Sequence, residues 1–344
     1  MGRRDKSYSK DLKQQVYEKL TKMLHNGEGT SKKEAIRNGT DKDKIFSYNT
    51  YDTYWKHCKY FANYVKTEHP DCTTLKSAQK YVNEWLQHRV DQGLSAWTIQ
   101  TEAKALGKLY GILPDDKNYF EPPKRLRSDI KRSRGDAVRD KHFSEKNNDE
   151  LVKFCKETGL RRSGVSSVRG KDLMTKEQIE RAICRLEQIP EEERTASQRK
   201  QLKVCLDTRL FDAPEQKYFV HTREKGGRDR IVPIIGPQTE KIVERFRNTR
   251  SDEKVWSYVS TNADIHSYRG DYATRLYKMY ARRIEDIPFD KINKGSGKRY
   301  QSDVYTCRKD EKGKKLDKRA MLICSKALGH NRIHIVADNY LRGL

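Results

Sequence analysis

The chain has 344 residues, enough for about two domains of ordinary size. Its 73 lysines and arginines outnumber its 49 aspartates and glutamates, and the net charge of +24 indicates a polyanionic partner. No apolar run approaches the ~20 residues that span a bilayer, and the basic start lacks the apolar segment of a secretory signal. The seven cysteines include no C-x-x-C pair, which argues against a disulfide framework and a zinc ribbon. These features predict a soluble, reduced, cytoplasmic protein that binds nucleic acid.

Apolar residues at helical spacing predict an all-helical first half of the chain. Residues 1–45 are predicted to add one helix, either a simple extension or a separate arm-type element that binds its own DNA sites. Residues 46–118 are predicted to form a helical domain of three further helices, the last of them capped by Ser95. Lys56 and Lys59 lie largely outside the apolar stripe of the first of these helices and are candidate DNA contacts.

Residues 119–145 are predicted to form a basic linker, because Pro122 and Pro123 interrupt regular structure and a run of cations follows them. Two roles are equally compatible with this composition: a strap along DNA phosphates, or a solvated, disordered connection. The candidate DNA-binding residues of this segment are Lys124, Arg125, Arg127, Lys131, Arg132 and Arg134.

The second half, residues 146–344, is predicted to be a mixed α/β domain, mostly helical with a small antiparallel sheet. A helix is predicted to end at Gly159, just ahead of Arg161, and a β-hairpin is predicted to turn at a Gly-Gly pair. Lys225 and Arg228 flank that pair. Lys225 therefore lies at the tip of the predicted hairpin, and Arg228 is a further candidate DNA contact.

Two later helices carry polar candidates. His266 and Arg269 lie one turn apart and project from the same helical face. A Gly-His pair precedes a short helix that ends at Tyr340, and this helix is either an ordinary docked end or a device that delivers the tyrosine. Inserts are predicted near residues 174–214, as two charged helices, and near residues 284–316, as a loop with a β-hairpin.

Four blocks of the second half resemble, in this order, the catalytic domain of the tyrosine recombinases, the phage-type integrases. They are TGLR, TREKGGRDRIVPI, HSYRGDYAT, and LGH followed by a tyrosine. Each block alone is a weak signal, whereas four in order in a strongly basic chain are specific. The first half resembles the family's core-binding domain in pattern only. The resemblance implies an all-α core-binding domain followed by a mixed α/β catalytic domain.

This resemblance implies site-specific DNA recombination, the integration and excision of a mobile element, with no metal or other cofactor. Tyr340 would attack a DNA phosphodiester and form a 3′-phosphotyrosyl link, while Arg161 and Arg269 hold the phosphate oxygens. A tyrosine hydroxyl has a reference pKa near ~10, so this nucleophile needs a base, for which His266 is the implied candidate. The full implied catalytic set is Tyr340, Arg161, Lys225, His266, Arg269 and His330.

Within that set, Lys225 would protonate the leaving 5′-oxygen and His330 would donate a hydrogen bond to the phosphate. The implied partners are double-stranded DNA recombination sites, three further copies of the chain in a tetramer on DNA, and a directionality factor. Because so few residues follow Tyr340, subunit contacts are expected from its helix or from the inserts.

Alternatives remain open at this point. The same chemistry serves type IB topoisomerase-like and telomere-resolving enzymes, and a DNA-binding protein without turnover is a third possibility. Tyr300 and Tyr305 are rival nucleophiles, since the spacing from His330 to Tyr340 is about one residue longer than the family pattern. Position 164 is glycine, where the family usually has an acidic residue that braces the first arginine, so the brace must come from elsewhere.

Overall fold

A computed structural model describes residues 11–126, 143–224, 228–287, 303–308, 311–330, 332–341 and 344. The chain divides into two compact units, Met1–Lys131 and Arg132–Leu344, here called the first and the second unit. The described part of the first unit is helical, and that of the second combines helices with small antiparallel sheets. The coarser part of the predicted fold class, a mostly helical mixed α/β protein with a small antiparallel sheet, is thus confirmed.

The first unit consists of helices joined by short turns. The predicted second helix of residues 46–118 is in fact two helices, α4 and α5, linked by a 3₁₀ turn over Gln79–Tyr81. Ser95 caps the last helix as predicted, because its hydroxyl accepts the Thr98 N–H at 3.2 Å. The helices are α1 (Leu12–Gly27), α2 (Lys32–Arg37), α3 (Tyr48–Glu68), α4 (Leu75–Ala78), α5 (Val82–Asp91) and α6 (Ala96–Tyr110).

Helix α1 shares one hydrophobic core with α3, α5 and α6. Val16 and Leu20 of α1 are fully buried in the same cluster as Phe61 and Leu106. The helix predicted within residues 1–45 is therefore an integral layer of the first unit. Whether it binds DNA sites of its own stays a prediction.

A buried ion network joins three of these helices. Glu102 of α6 is fully buried, and its carboxylate accepts the Arg89 Nε–H at 3.1 Å and lies 3.1 Å from His57 Nδ1. Because an unpaired buried carboxylate is costly, these partners are required for Glu102 to occupy the core. The network ties α6 to α5 through Arg89 and to α3 through His57.

The described beginning of the predicted linker is folded onto α6. Tyr119 and Phe120 pack against the core of the first unit, and the Pro123 carbonyl accepts a hydrogen bond from Gln100 Nε2 at 3.3 Å. The Arg125 guanidinium lies 5.8 Å from the centre of the Trp97 ring. This part of the segment, which carries Lys124 and Arg125, is therefore held against α6.

The second unit places a three-stranded antiparallel sheet, in the order β1-β2-β3, among its helices. A separate two-stranded hairpin pairs β4 with β5. The elements are α7 (Asp149–Thr158), α8 (Arg162–Val165), β1 (Leu173–Thr175), α9 (Lys176–Glu187), α10 (Ala196–Asp207), β2 (Tyr218–Glu224), β3 (Arg228–Pro233), α11 (Thr239–Arg247), α12 (Ile265–Tyr280), β4 (Val304–Thr306), β5 (Lys315–Asp317), α13 (Lys318–Ala327) and α14 (His334–Asn339).

Both faces of the sheet are covered. Phe219 and Ile231 belong to a core that includes α9, α10, α12 and α13, whereas Val220 and Val232 belong to a second core with α7 and α11. Successive strand residues point to opposite faces, so β2 and β3 supply both cores at once. The strands are therefore held between two packed layers.

The predicted insert near residues 174–214 is part of the core. Its two charged helices are α9 and α10, and each presents an apolar face to the interior. Ile179 and Ile183 of α9 and Leu202 of α10 are buried in the cluster that also holds α12 and α13. These helices therefore contribute buried apolar residues to the core of the second unit.

The predicted β-hairpin near residues 284–316 is present as β4 and β5. It leads into Asp317, whose fully buried carboxylate binds Arg282 from just after α12 through Nε at 2.8 Å and Nη2 at 2.9 Å. Bidentate pairing of this kind fixes geometry as well as charge. The hairpin thus ties the end of α12 to the start of α13.

No helix in the described part of the chain combines the length and the apolar composition that crossing a membrane requires.

Candidate active site

The TGLR block ends α7 with a turn that only glycine can make. Gly159 has a φ of 58°, in the left-handed region, and its N–H bonds to the Cys155 carbonyl at 3.1 Å. A Cβ at this position would overlap the ring of Tyr272 on α12. Glycine is required on both counts, and the turn brings the following Arg161 to the start of α8.

The two successive arginines of this block have different tasks. Arg162 turns to the loop that precedes α12, where its Nη2 bonds to the carbonyls of Thr261, at 3.1 Å, and Ala263, at 2.6 Å. Its Nη1 bonds to the Ser260 carbonyl. Arg162 therefore fixes the loop that leads directly to His266. Arg161 takes no part in these contacts and remains a candidate for binding in the site.

The LGH block ends α13 in the same way. Gly329 has a φ of 67°; its N–H bonds to the Lys326 carbonyl at 2.9 Å, and the His330 N–H bonds to the Ser325 carbonyl at 2.8 Å. This pair of bonds is the Schellman motif, which reverses the chain after a helix. It carries His330 over the end of α13, toward Tyr340.

Tyr340 lies directly after the short helix α14, which docks on its own chain. Val336, Ala337 and Leu341 are buried in the core that contains α12 and α13. The Tyr340 hydroxyl accepts the Arg269 Nε–H at 3.3 Å and lies 3.3 Å from His330 Nε2. Thus two of the predicted catalytic side chains contact the predicted nucleophile.

Arg269 of α12 is 2% exposed, and its whole guanidinium is engaged. Besides the bond to Tyr340, its Nη1 donates to the Gly159 carbonyl and its Nη2 to the Leu328 carbonyl. Burial lowers the pKa of Arg269 from its ordinary value. The residue joins the ends of α7 and α13 and places one charge beneath the tyrosine.

His266 stands at the rim of this group. It occupies the first turn of α12 and is exposed, and its ring lies edge-on to the Tyr340 ring with the ring centres 5.4 Å apart. The structure thus brings Arg161, His266, Arg269, His330 and Tyr340 into one region, where His330 is the histidine within 3.3 Å of the hydroxyl.

A buried carboxylate holds two arginines beside Tyr340. Glu224, at the end of β2, accepts the Arg161 backbone N–H at 2.8 Å and pairs with Arg161 Nη1 at 2.5 Å and with Arg230 Nη2 at 2.7 Å. Arg161, Glu224 and Arg230 are called here the arginine–glutamate cluster. With Arg269 it leaves a surplus of positive charge, which suits an anion.

Electrostatics within the cluster follow from burial and proximity. Burial, together with the neighbouring Arg269, lowers the pKa of Arg230 to about 10. Burial alone would raise the pKa of Glu224, but Arg230 and Arg161 outweigh it, and the pKa is held below its ordinary value. Near neutral pH, Glu224 is therefore an anion between two cations.

Glu224 and Arg230 are not among the residues predicted from the sequence. The available signal was the period of two along the hairpin, which puts Val220, Thr222 and Glu224 on one buried face, with Arg230 paired opposite Thr222. A carboxylate on a buried face requires a cation nearby. The brace that Gly164 cannot provide for Arg161 is in this structure the Glu224 carboxylate.

Some of the remaining candidates lie in the described part of the chain and the others do not. On the first unit, Lys56 of α3, Lys124 and Arg125 are exposed, and Lys59 is half-buried. Arg228 begins β3. Tyr305, a rival nucleophile, lies in β4 opposite Leu316. Outside the described residues lie Lys225, Arg127, Lys131, Arg132, Arg134 and Tyr300.

Across the described residues, no group of three or more histidine, cysteine, aspartate and glutamate side chains is arranged to hold a metal ion. No family model matches the chain, and no curated protein matches it.

Proposed function

We propose that this protein is a site-specific DNA recombinase of the tyrosine class, which integrates and excises DNA through a 3′-phosphotyrosyl intermediate. One observation carries the proposal: the Tyr340 hydroxyl lies 3.3 Å from both Arg269 Nε and His330 Nε2, next to a positively charged cluster. In this proposal the first unit is the core-binding domain and the second unit is the catalytic domain.

The proposed chemistry relies on positioning and charge, as phosphoryl transfer generally does. The Tyr340 oxygen attacks the phosphorus, the bond from phosphorus to the 5′-oxygen breaks, and that oxygen takes a proton from Lys225. A 5′-hydroxyl of a second strand then attacks the phosphotyrosine, which restores Tyr340. Arg161, with a side chain that is 31% exposed, is the guanidinium that an incoming phosphate can reach.

The contacts of the hydroxyl favour His330 over His266 as its base. The Tyr340 oxygen accepts the Arg269 Nε–H, so its own proton can pass to a neutral His330 Nε2 at 3.3 Å. His266 meets the tyrosine through its ring edge. In the proposal, His330 therefore takes the tyrosine proton, and His266 is left as the proposed hydrogen-bond donor to the phosphate.

A trapping experiment tests the proposal. Nicked duplexes that carry the end sequences of the element encoding this chain release the short fragment that bears the new 5′-hydroxyl, so religation stops and the intermediate accumulates. We expect an adduct that resists SDS, forms equally in EDTA, and maps to Tyr340 by mass spectrometry. An adduct at Tyr305 would contradict the assigned nucleophile. Tight binding without any adduct would indicate a DNA-binding protein without turnover.

DNA affinity is expected to fall steeply with salt. A protein that contacts many phosphates releases counterions, so affinity should drop by about a thousandfold or more between 50 and 200 mM salt. Replacing one phosphate contact, Lys56→Gln, should reduce the slope of log affinity against log salt by about one. The exposed Lys33 of α2 serves as the matched control. Fluorescence anisotropy across the salt series measures both effects, and a flat dependence would contradict polyanion binding.

The assembly belongs to the same proposal. Four protomers on two DNA sites, with a directionality factor, follow from the resemblance of the motifs. The segments proposed to mediate contacts between protomers are the tyrosine helix α14 and the two inserts, which contain α9, α10 and the β4–β5 hairpin. A DNA-dependent mass of four chains in light scattering supports this part, and a monomer on each site throughout the reaction contradicts it.

A further inference from the structure

Glu224 holds Arg161 at two points. One carboxylate oxygen accepts the Arg161 backbone N–H at 2.8 Å, and the other pairs with Arg161 Nη1 at 2.5 Å. The main chain and the tip of one side chain are thus fixed by a single group. Arg161 Nη2 is turned to the Leu328 carbonyl at 3.3 Å, which completes the orientation of the guanidinium.

The Glu224 carboxylate also offsets the positive charges of three arginines that lie close together, Arg161, Arg230 and Arg269. Arg230 is 6% exposed and Arg269 is 2% exposed, so neither can move away into solvent. Arg161, with a side chain that is 31% exposed, is the least buried of the three. Without an anion at 224, repulsion from the two buried cations would act on Arg161, and its side chain would leave the site for water.

Gly164 is the structural complement of Glu224. A Cβ at position 164 would overlap Oε1 of Glu224 and would lie 3.2 Å from Thr222 Oγ1. The backbone of α8 therefore comes close to the carboxylate only because position 164 has no side chain. The space that Glu224 fills is the space that a side chain from position 164 would enter.

We propose that Glu224 is a positioning residue that holds Arg161 in place for the scissile phosphate, and that Gly164 is required to admit its carboxylate. The reference to a phosphate rests on the proposed function. The placement of Arg161 by Glu224 does not depend on it. The carboxylate acts through Arg161 and does not itself contact the substrate.

The first test separates positioning from folding and from binding. Glu224→Gln keeps the size and the acceptor oxygen but removes the charge, so we expect single-turnover cleavage to slow by about a hundredfold, as a small misplacement of a positioning group does. DNA affinity should change by less than about threefold, because the positive charges remain. Glu240→Gln, an exposed carboxylate on α11, is the control. Cleavage by Glu224→Gln at the rate of the unaltered protein would overturn the proposal.

A second test moves the carboxylate. Gly164→Asp alone should crowd and repel Glu224, and Glu224→Ala alone should leave Arg161 without its partner. The double variant places a carboxylate in the same space from the other side. We expect it to cleave at least about tenfold faster than Glu224→Ala, and a double variant no faster than Glu224→Ala would overturn the assigned role of the carboxylate.

A third measurement needs no cleavage and keeps the two proposals distinguishable. Arginine side-chain NMR should give a narrow Arg161 Nε–H signal in the unaltered protein and a broadened one in Glu224→Gln. Arg162, bound to three carbonyls, is the internal reference and should stay narrow. If no variant cleaves DNA but the Arg161 signal depends on Glu224, the recombinase proposal fails and the positioning role stands. A signal that is unchanged in Glu224→Gln would overturn the positioning role.

Discussion

Replacing Tyr340 by phenylalanine is expected to abolish the covalent DNA adduct while leaving the fold and the DNA affinity almost unchanged. Phenylalanine keeps the ring contacts with His266 and His330 and removes only the hydroxyl. The Arg269 Nε–H loses one acceptor, which costs about 1 kcal/mol of folding free energy. Because no other group replaces the nucleophile, the cleavage rate should fall by at least about ten-thousandfold. SDS gels of the trapped duplex measure this loss.

Tyr305→Phe is the matched control, since it removes a hydroxyl from the nearest rival in the sequence. It should form the adduct at the rate of the unaltered protein. Anisotropy binding curves should coincide for all three proteins. An adduct that persists in Tyr340→Phe, or that disappears in Tyr305→Phe, would contradict the assignment of Tyr340.

Replacing Arg269 by lysine is expected to damage stability and cleavage together. Lysine keeps the charge, but it cannot reach the Gly159 carbonyl, the Leu328 carbonyl and the Tyr340 hydroxyl at once, as the guanidinium does. Each buried acceptor left without its donor costs about 1–3 kcal/mol. Loss of the fixed charge below the tyrosine should slow cleavage by about a hundred- to a thousandfold. Urea unfolding and single-turnover cleavage measure the two effects.

Arg275→Lys on the same helix is the control, because the Arg275 side chain is 41% exposed and pairs with Glu157, and lysine keeps that charge. It should lower the free energy of unfolding by less than Arg269→Lys does, because it removes fewer buried hydrogen bonds. If Arg269→Lys unfolded at the same urea concentration as the unaltered protein, the proposed bridge between α7, α13 and the tyrosine would be contradicted.

The convergence of the predicted residues could be expected from local sequence signals. Gly159 and Gly329 each end a helix in the left-handed region, and the polar candidate follows within two residues. Helical spacing put His266 and Arg269 on one face. Each of these signals involves residues only a few positions apart, so it can be recognised from the sequence without knowledge of the tertiary structure. The contact of Tyr340 with Arg269 is consistent with the order of the motifs, although the chemistry stays a prediction.

Partners far apart in the sequence could not be predicted in this way. Glu224 binds Arg161 at a sequence separation of 63 residues, and strand alternation gives its face but not its partner. The many charged residues of α9 and α10 suggested exposed helices. One apolar stripe is enough to dock a charged helix on the core, and each of these helices has one. The break between α4 and α5 contains neither glycine nor proline. Helix α4 packs against α1, whereas α5 packs against α3 and α6, and only the tertiary structure fixes these contacts.

The positions of the core residues along the chain determine when each unit can fold during translation. The first unit has its core residues between Leu12 and Phe120, so it can close while the rest of the chain is still being translated. The second unit closes its core with Val336, Ala337 and Leu341, after nearly every other core residue has been made. A nascent chain that stops short of these residues exposes apolar surface to chaperones and proteases, and it also lacks Tyr340. Burial of these last core residues and the arrival of Tyr340 thus coincide, so a chain that stops earlier lacks both.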